Sequence, residues 1–259
     1  MSSLRAWWWR QQFNPGPLGW VANPFYFARR DLWREVGELA RSLTGEVLDV
    51  GCGSKPYRAL VPATRYVGLD VDSPFTRKVG VADVFYDGQT FPLADASFDG
   101  VICSEVLEHV FTPEIFLSEI HRVLRPGGRL LLTVPFVWDE HEQPHDFARY
   151  SSFGLRALLE RAGFELLEHH KSVADSRALC QLASAYLYKI TVTRSRALNF
   201  FAQLGLIAPV NLAGALAGWV LPSNKDFYLD NIVLARKPGA QRNPATIPAS
   251  DDLIQRAAR

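Results

Sequence analysis

The run GEVLDVGCG, residues 45–53, narrows the choices for this chain more than any other segment. An apolar stretch of strand length that stops in two glycines marks a buried strand turning sharply into a helix or loop. RYVGLDVD, FDGVICSEV and GRLLLTVPFVW repeat the form further along. Between the last two lies TPEIFLSEIHRVLRPGG. Pro113 there suits a first helical turn, apolar residues recur at 115, 116, 120, 123 and 124, and glycines follow as a stop. Strands alternating with helices of that length predict an α/β fold with a doubly wound, mostly parallel sheet. Ligands in such folds sit at the carboxyl ends of the strands.

With 259 residues, 48% of them hydrophobic, the chain can bury a core as one large domain carrying an insertion. A net charge of +1 with interspersed signs lacks the concentrated basic face that phosphate neutralisation requires, so nucleic acid is not the expected partner. Cys52, Cys103 and Cys180 are far apart and show no metal-ligand spacing, which predicts reduced thiols and a cytoplasmic setting. The opening MSSLRAWWWRQQF is too short in apolar length for a signal-peptide core.

Five regions follow from the pattern. Residues 1–44 form an aromatic, turn-rich cap ending in a helix from about Asp31 to Leu43, and residues 45–175 form the core. Within the core, SSFGLRALLERAGF predicts a helix capped by Ser151 or Ser152 and ended by Gly163. Residues 176–223 are an apolar helical insertion, 224–238 the final strand, and 239–259 a polar tail expected to be mobile. From Ala197 to Asn224 the chain carries no charge. Asn199, Gln203, Pro209 and Asn211 are expected to divide this part into two helices of about a dozen residues, suited to a lid, a dimer surface or a membrane-facing hairpin. Trp7, Trp8, Trp9 and Trp20 would suit an interface, so peripheral membrane contact is one of those readings.

Asp49, Gly51, Cys52 and Gly53 lie where the first strand turns, and Asp70 ends the second strand some twenty residues on. A carboxylate there accepts hydrogen bonds from ribose hydroxyls. A dinucleotide fingerprint would need a third glycine where Pro56 stands, so a nucleoside without a pyrophosphate fits better than a nicotinamide dinucleotide.

VLDVGCG, YVGLDVD, YDGQTFPLADASFDGVICSEVLEHV and EIHRVLRPGGRLLLTVP together resemble, in order and spacing, the motifs of class I S-adenosylmethionine-dependent methyltransferases of the type 11 group. The resemblance spans about residues 45–165 and implies a seven-stranded Rossmann-like sheet, S-adenosyl-L-methionine as methyl donor and a small-molecule acceptor such as a sugar or a lipid-linked hydroxyl. It places Asp49, Gly51 and Gly53 at the methionine and ribose side and Asp70 on the ribose diol. Asp87 would accept the adenine amino group, with Gly88 offering its N–H and Asp83 competing for the role. Ser104 and Glu105 would face the methionine end and the acceptor, and His109 belongs to the motif as a structural residue.

After the fifth strand comes EHEQPHDFARY. In one reading His141 or His145 is a general base oriented by Glu142 or Asp146, with Arg149 and Tyr150 binding the acceptor. In another, His141, Glu142, His145 and Asp146 bind a metal, although Pro144 disfavours the helix that would align them, and no metal is expected. In the third, Asp146, Arg149 and Tyr150 only pin the loop. The rivals to methyl transfer are a nicotinamide-dependent oxidoreductase and a cofactor-binding regulator without catalysis.

Overall fold

The computed structural model describes residues 11–16 and 19–239. Trp7, Trp8, Trp9 and all but the first residue of the expected tail lie outside that range.

Among the described residues, seven strands form one sheet in the order β3-β2-β1-β4-β5-β7-β6. They are β1 (Gly45–Val50), β2 (Ala63–Val71), β3 (Val84–Tyr86), β4 (Phe98–Ser104), β5 (Leu124–Pro135), β6 (Glu165–Lys171) and β7 (Asp230–Arg236). The first five pair in parallel, and β7 runs antiparallel between β5 and β6. The central strands are apolar on both faces because both faces are covered. Val101 and Cys103 of β4 point into one core with Leu130, Leu132 and Val134 of β5, while Ile102 and Leu131 point into the other.

One face is covered by α3 (Pro113–Val123) and α4 (Ser152–Arg161), the other by α1 (Tyr26–Leu39); the short α2 (Pro74–Val79) follows β2. Ser151 caps α4 by accepting from the Gly154 amide, and Gly163 follows its end at φ 86°, as expected. Two helix boundaries differ from expectation. Helix α1 starts at Tyr26 rather than Asp31, because its free amides at Phe27 and Ala28 donate to the Gln181 side chain, a cap supplied from 154 residues away. Helix α3 runs straight into β5 at Leu124, so the glycines do not stop it. They form a bulge where the β4 pairing jumps from Leu124 to Arg129, and a Cβ on Gly128 would lie 2.8 Å from the Arg125 carbonyl.

The insertion also corrects the expected two-helix division. After α5 (Arg177–Thr191), one uninterrupted helical run spans Arg196–Val220: α6 (Arg196–Ala202), a π-turn (Gln203–Ile207) and α7 (Ala208–Val220). The wider turn leaves Pro209 in the first turn of α7, where its missing N–H does no harm. Asn211 holds the run down by donating to the Trp20 and Asn23 carbonyls and accepting from Ser184, and Gly214 lets it approach Cys180 and Phe27. By length and composition the run could cross a membrane, and 22% of its most apolar window is buried.

Candidate active site

The carboxyl ends of β1 and β2 build the first half of the site. Gly51 and Gly53 have φ of +68° and +47°, conformations that side chains resist. At Gly53 a Cβ would point into open space, whereas at Gly51 it would lie 2.3 Å from a Val106 methyl. The Gly53 amide donates to Asp70 Oδ2 at 3.0 Å, tying the turn to the end of β2. This leaves a backbone cradle beside a carboxylate, the fit expected for a ribose. Burial raises Asp70, and the Gly53 and Val71 amides counter it. Asp49 lies beneath; it accepts from the Tyr66 hydroxyl at 2.7 Å, and burial pushes it up to about 7. The Cys52 thiol, driven by burial to about 12, is no nucleophile.

Asp83 and Asp87 separate clearly. Asp83 accepts from the Gly68 amide at 2.7 Å and from Lys55 Nζ at 2.6 Å, so its carboxylate locks the sheet edge. Asp87 is exposed, and its Oδ1 accepts from the Gln89 and Thr90 amides, which hold it below the usual carboxylate range. Gly88, at φ +88°, sits beside Val71.

The second half stands at the ends of β4, β5 and β7. Ser104 Oγ and Thr133 Oγ1 are 2.8 Å apart, and Thr133 Oγ1 donates to Glu105 Oε1 at 2.8 Å. Burial raises Glu105 well above its usual value, and Asp230 and Glu108 push it further. Asp230 is driven by burial to about 6 despite the Ser172 hydroxyl that donates to it. The Tyr57 side chain bonds Ser104, and Arg29 supplies the positive charge near Tyr57, Glu105 and Asp230.

Glu108 was concealed within LEHV. It is fully buried, burial pushes it up to about 8, and neither carboxylate oxygen has a hydrogen-bond partner among the described residues. The acidic repeat Glu105, Glu108 was a visible signal; burial was not. Arg29, Tyr57 and Asp230 are brought in from distant elements and carried no local pattern.

The 140–150 loop closes over Glu108, whose carbonyl accepts from the Phe147 and Ala148 amides. Asp146 accepts from Arg149 at 2.6 and 2.7 Å and from the His141 amide, and lies 3.4 Å from His141 Nδ1. It therefore orients His141 and not His145. His145 is exposed with its ring against Phe147, and Glu142 approaches His109 at 3.9 Å. Tyr150 packs against the core, its carbonyl accepting from Asn231. The four residues expected as a metal set are not gathered; the group that converges is Glu108, His109 and His141.

A glycine cradle, a ribose-type carboxylate and a polar acceptor side at the ends of one doubly wound sheet define a nucleoside-dependent α/β transferase. Residues 48–132 match the family described as methyltransferase domain. The O-methyltransferase rstn1 of Aspergillus nomiae is 31% identical over 166 residues, which span 54% of this chain and 74% of that protein. A fatty-acid O-methyltransferase of Mycolicibacterium smegmatis is 41% identical over 100 residues, 34% of this chain and 36% of its own. The solved S-adenosylmethionine-dependent methyltransferase of Mesorhizobium loti shares the fold with a TM-score of 0.51 at 16% identity, over 81% of this chain and 97% of that one. The chain belongs to the class I S-adenosylmethionine-dependent methyltransferases. It is a methyltransferase, S-adenosylmethionine is its cofactor, and the nicotinamide and non-catalytic alternatives fall away.

Proposed function

We propose that the acceptor is a small, largely apolar molecule methylated on oxygen. When bound, S-adenosylmethionine supplies a methyl group on a sulfonium; the chain supplies position and a proton acceptor. Asp70 and the Gly53 cradle would hold the ribose, Asp49 would face the methionine end, and the exposed Asp87 carboxylate with Gly88 would meet the adenine edge. Good placement alone can contribute on the order of 7–11 kcal/mol to such an in-line transfer. The observation that carries an oxygen acceptor is Glu105, a carboxyl just past the end of β4 whose Oε1 is held by the Thr133 hydroxyl at 2.8 Å. With the cofactor bound, Glu105 would take the proton that a hydroxyl acceptor gives up. A positioned carboxylate base can add a factor of about 10²–10⁴. The two relatives named for O-methyl transfer support the same reading.

The test is methyl incorporation from labelled S-adenosylmethionine into metabolite extracts, followed by identification of the product bond. An ether or ester is expected; label found only on nitrogen or sulfur would overturn the reading. His145→Ala is expected to lower turnover modestly and leave S-adenosylhomocysteine affinity unchanged, since only the exposed ring is removed.

The enzyme is further proposed to be cytoplasmic and to touch membranes peripherally through Arg196–Val220. Phe200, Phe201, Leu216 and Trp219 stand exposed there, Trp219 at 85%. Flotation with liposomes, before and after placing serine at Phe201 and Trp219, checks this; no flotation of the unaltered protein sinks it.

A further inference from the structure

The geometry points to a divalent-metal site formed by Glu108, His109 and His141, beside the acceptor half of the active site. One ligand atom from each lies within 4.8 Å of the others. Three further features distinguish this group from an ordinary polar cluster.

The first is Glu108. A fully buried carboxylate with two oxygens lacking partners is costly to leave alone, and a bound cation removes that cost. The second is the tautomer of His109. Its Nδ1 lies 2.7 Å from the His145 carbonyl, which can only accept, so Nδ1 donates there and Nε2 is the nitrogen left for a ligand. Nε2 faces Glu108 Oε1 at 3.8 Å and Glu142 Oε2 at 3.9 Å. One ring nitrogen and two carboxyl groups thus converge on one place. The third is His141. Its Nδ1 is 3.2 Å from the Asp139 carbonyl and 3.4 Å from Asp146 Oδ2, the outer-carboxylate arrangement that orients metal-binding imidazoles. Its ring stands edge-on to His109 at 4.8 Å between centroids.

The chain contains a contrasting group, Glu35, Glu38 and His170. There His170 Nδ1 bonds Glu35 directly at 2.6 Å, and Arg34 pairs with the same carboxylate. Its charges are already matched, so it offers a metal nothing.

Two imidazoles and one carboxylate suit a first-row ion from Mn²⁺ to Zn²⁺ better than Mg²⁺, which takes mostly oxygen ligands. Three protein ligands leave coordination positions open. Resting on the O-methyl reading above, the ion would bind the acceptor oxygen. The O–H proton then passes to Glu105, the new O–CH₃ bond forms, and the S–CH₃ electron pair stays on sulfur.

The test uses the full chain, stripped with a chelator and titrated with Co²⁺ and Zn²⁺ without donor or acceptor present. One equivalent should bind, with visible Co²⁺ absorption, and a hundredfold excess over Kd should raise the melting temperature by about 5–10 °C. Glu108→Gln, His109→Ala and His141→Ala should each weaken binding more than about 10-fold, exceeding the loss that even outer partners of ligands carry. His170→Ala should bind as the unaltered protein does. His141 lies on the surface loop, so its variant reports binding even if Glu108→Gln unfolds. Unchanged affinity in all three variants, loss in His170→Ala alone, or no binding by folded, unaltered protein would overturn the site. Because binding is read without methyl transfer, failure here leaves the O-methyl reading standing, and failure of that reading leaves the site.

Discussion

The two halves of the active site treat their carboxylates in opposite ways. On the β1–β2 side, Asp49 receives a tyrosine hydroxyl, Asp70 the Gly53 and Val71 amides, Asp83 an amide and a lysine, and Asp87 two amides. On the β4–β7 side, Glu105 and Asp230 each receive one hydroxyl, and Glu108 receives nothing among the described residues. Backbone donors are fixed by the fold, so the first half is ready to meet a neutral, hydroxyl-rich nucleoside. The second half crowds acids in a buried place, and its charge balance is completed by protons or by a cation.

The largest effect should come from removing a prepared carboxylate. Asp70→Asn surrenders charge-assisted bonds worth about 1.5–3 kcal/mol each, so S-adenosylhomocysteine affinity should fall at least about 100-fold in calorimetry. A loss under threefold would mean that the cradle binds the ribose without it. The glycines give the next contrast. Gly51→Ala forces a methyl against Val106 at positive φ and should cost about 1–3 kcal/mol of stability, seen as a lower melting temperature. Gly53→Ala meets open space, so its main effect should be on cofactor affinity. A larger stability loss at Gly53 than at Gly51 would break the distinction between packing and binding glycines.

Much of the cofactor half was legible because its signals are local. A strand ending in glycines, a carboxylate at the next strand end and a serine before an apolar period each state their role within a few residues. The acceptor half was not, because its parts meet only through the fold. Glu108 stood in a quoted motif, but nothing in the sequence says that it would be sealed under Phe147 and Ala148. The cap on α1 comes from Gln181, and the charge partner of Asp230 from Arg29. The unbroken insertion was missed for a different reason: a π-turn absorbs the proline, and that choice depends on packing against α5.

A smaller effect separates Asp49 from its neighbours. Burial raises its folded-state value from 3.8 to about 7, while the unfolded chain keeps the ordinary one. Between about pH 4 and 7 the unfolded state releases this proton first, so its contribution to stability falls as pH rises, by at most about 1.4 kcal/mol per pH unit. It is fully present below about pH 4 and gone above about 7. Asp49→Asn should flatten that decline in denaturant melts. The α-ammonium of the cofactor favours the ionised form, so affinity should rise from pH 5 to 7 in the unaltered protein and not in the variant. A parallel rise in both would place the titrating group elsewhere.

The smallest effect belongs to the loop over the acceptor half. Arg149 joins Asp146 through two nitrogens and also reaches the Asp139 carbonyl at 2.9 Å, which holds Asp146 well below the usual carboxylate range. Arg149→Lys keeps the charge but offers one point donor in place of a planar fork, so the loop should loosen while the β1–β2 cradle is untouched. Losing about one hydrogen bond's worth of order, roughly 1 kcal/mol, should raise the acceptor KM about fivefold and leave S-adenosylhomocysteine affinity unchanged. Equal loss of both would show that the loop supports the cofactor half as well, and the separation between a prepared cradle and an acceptor side closed by its own loop would no longer hold.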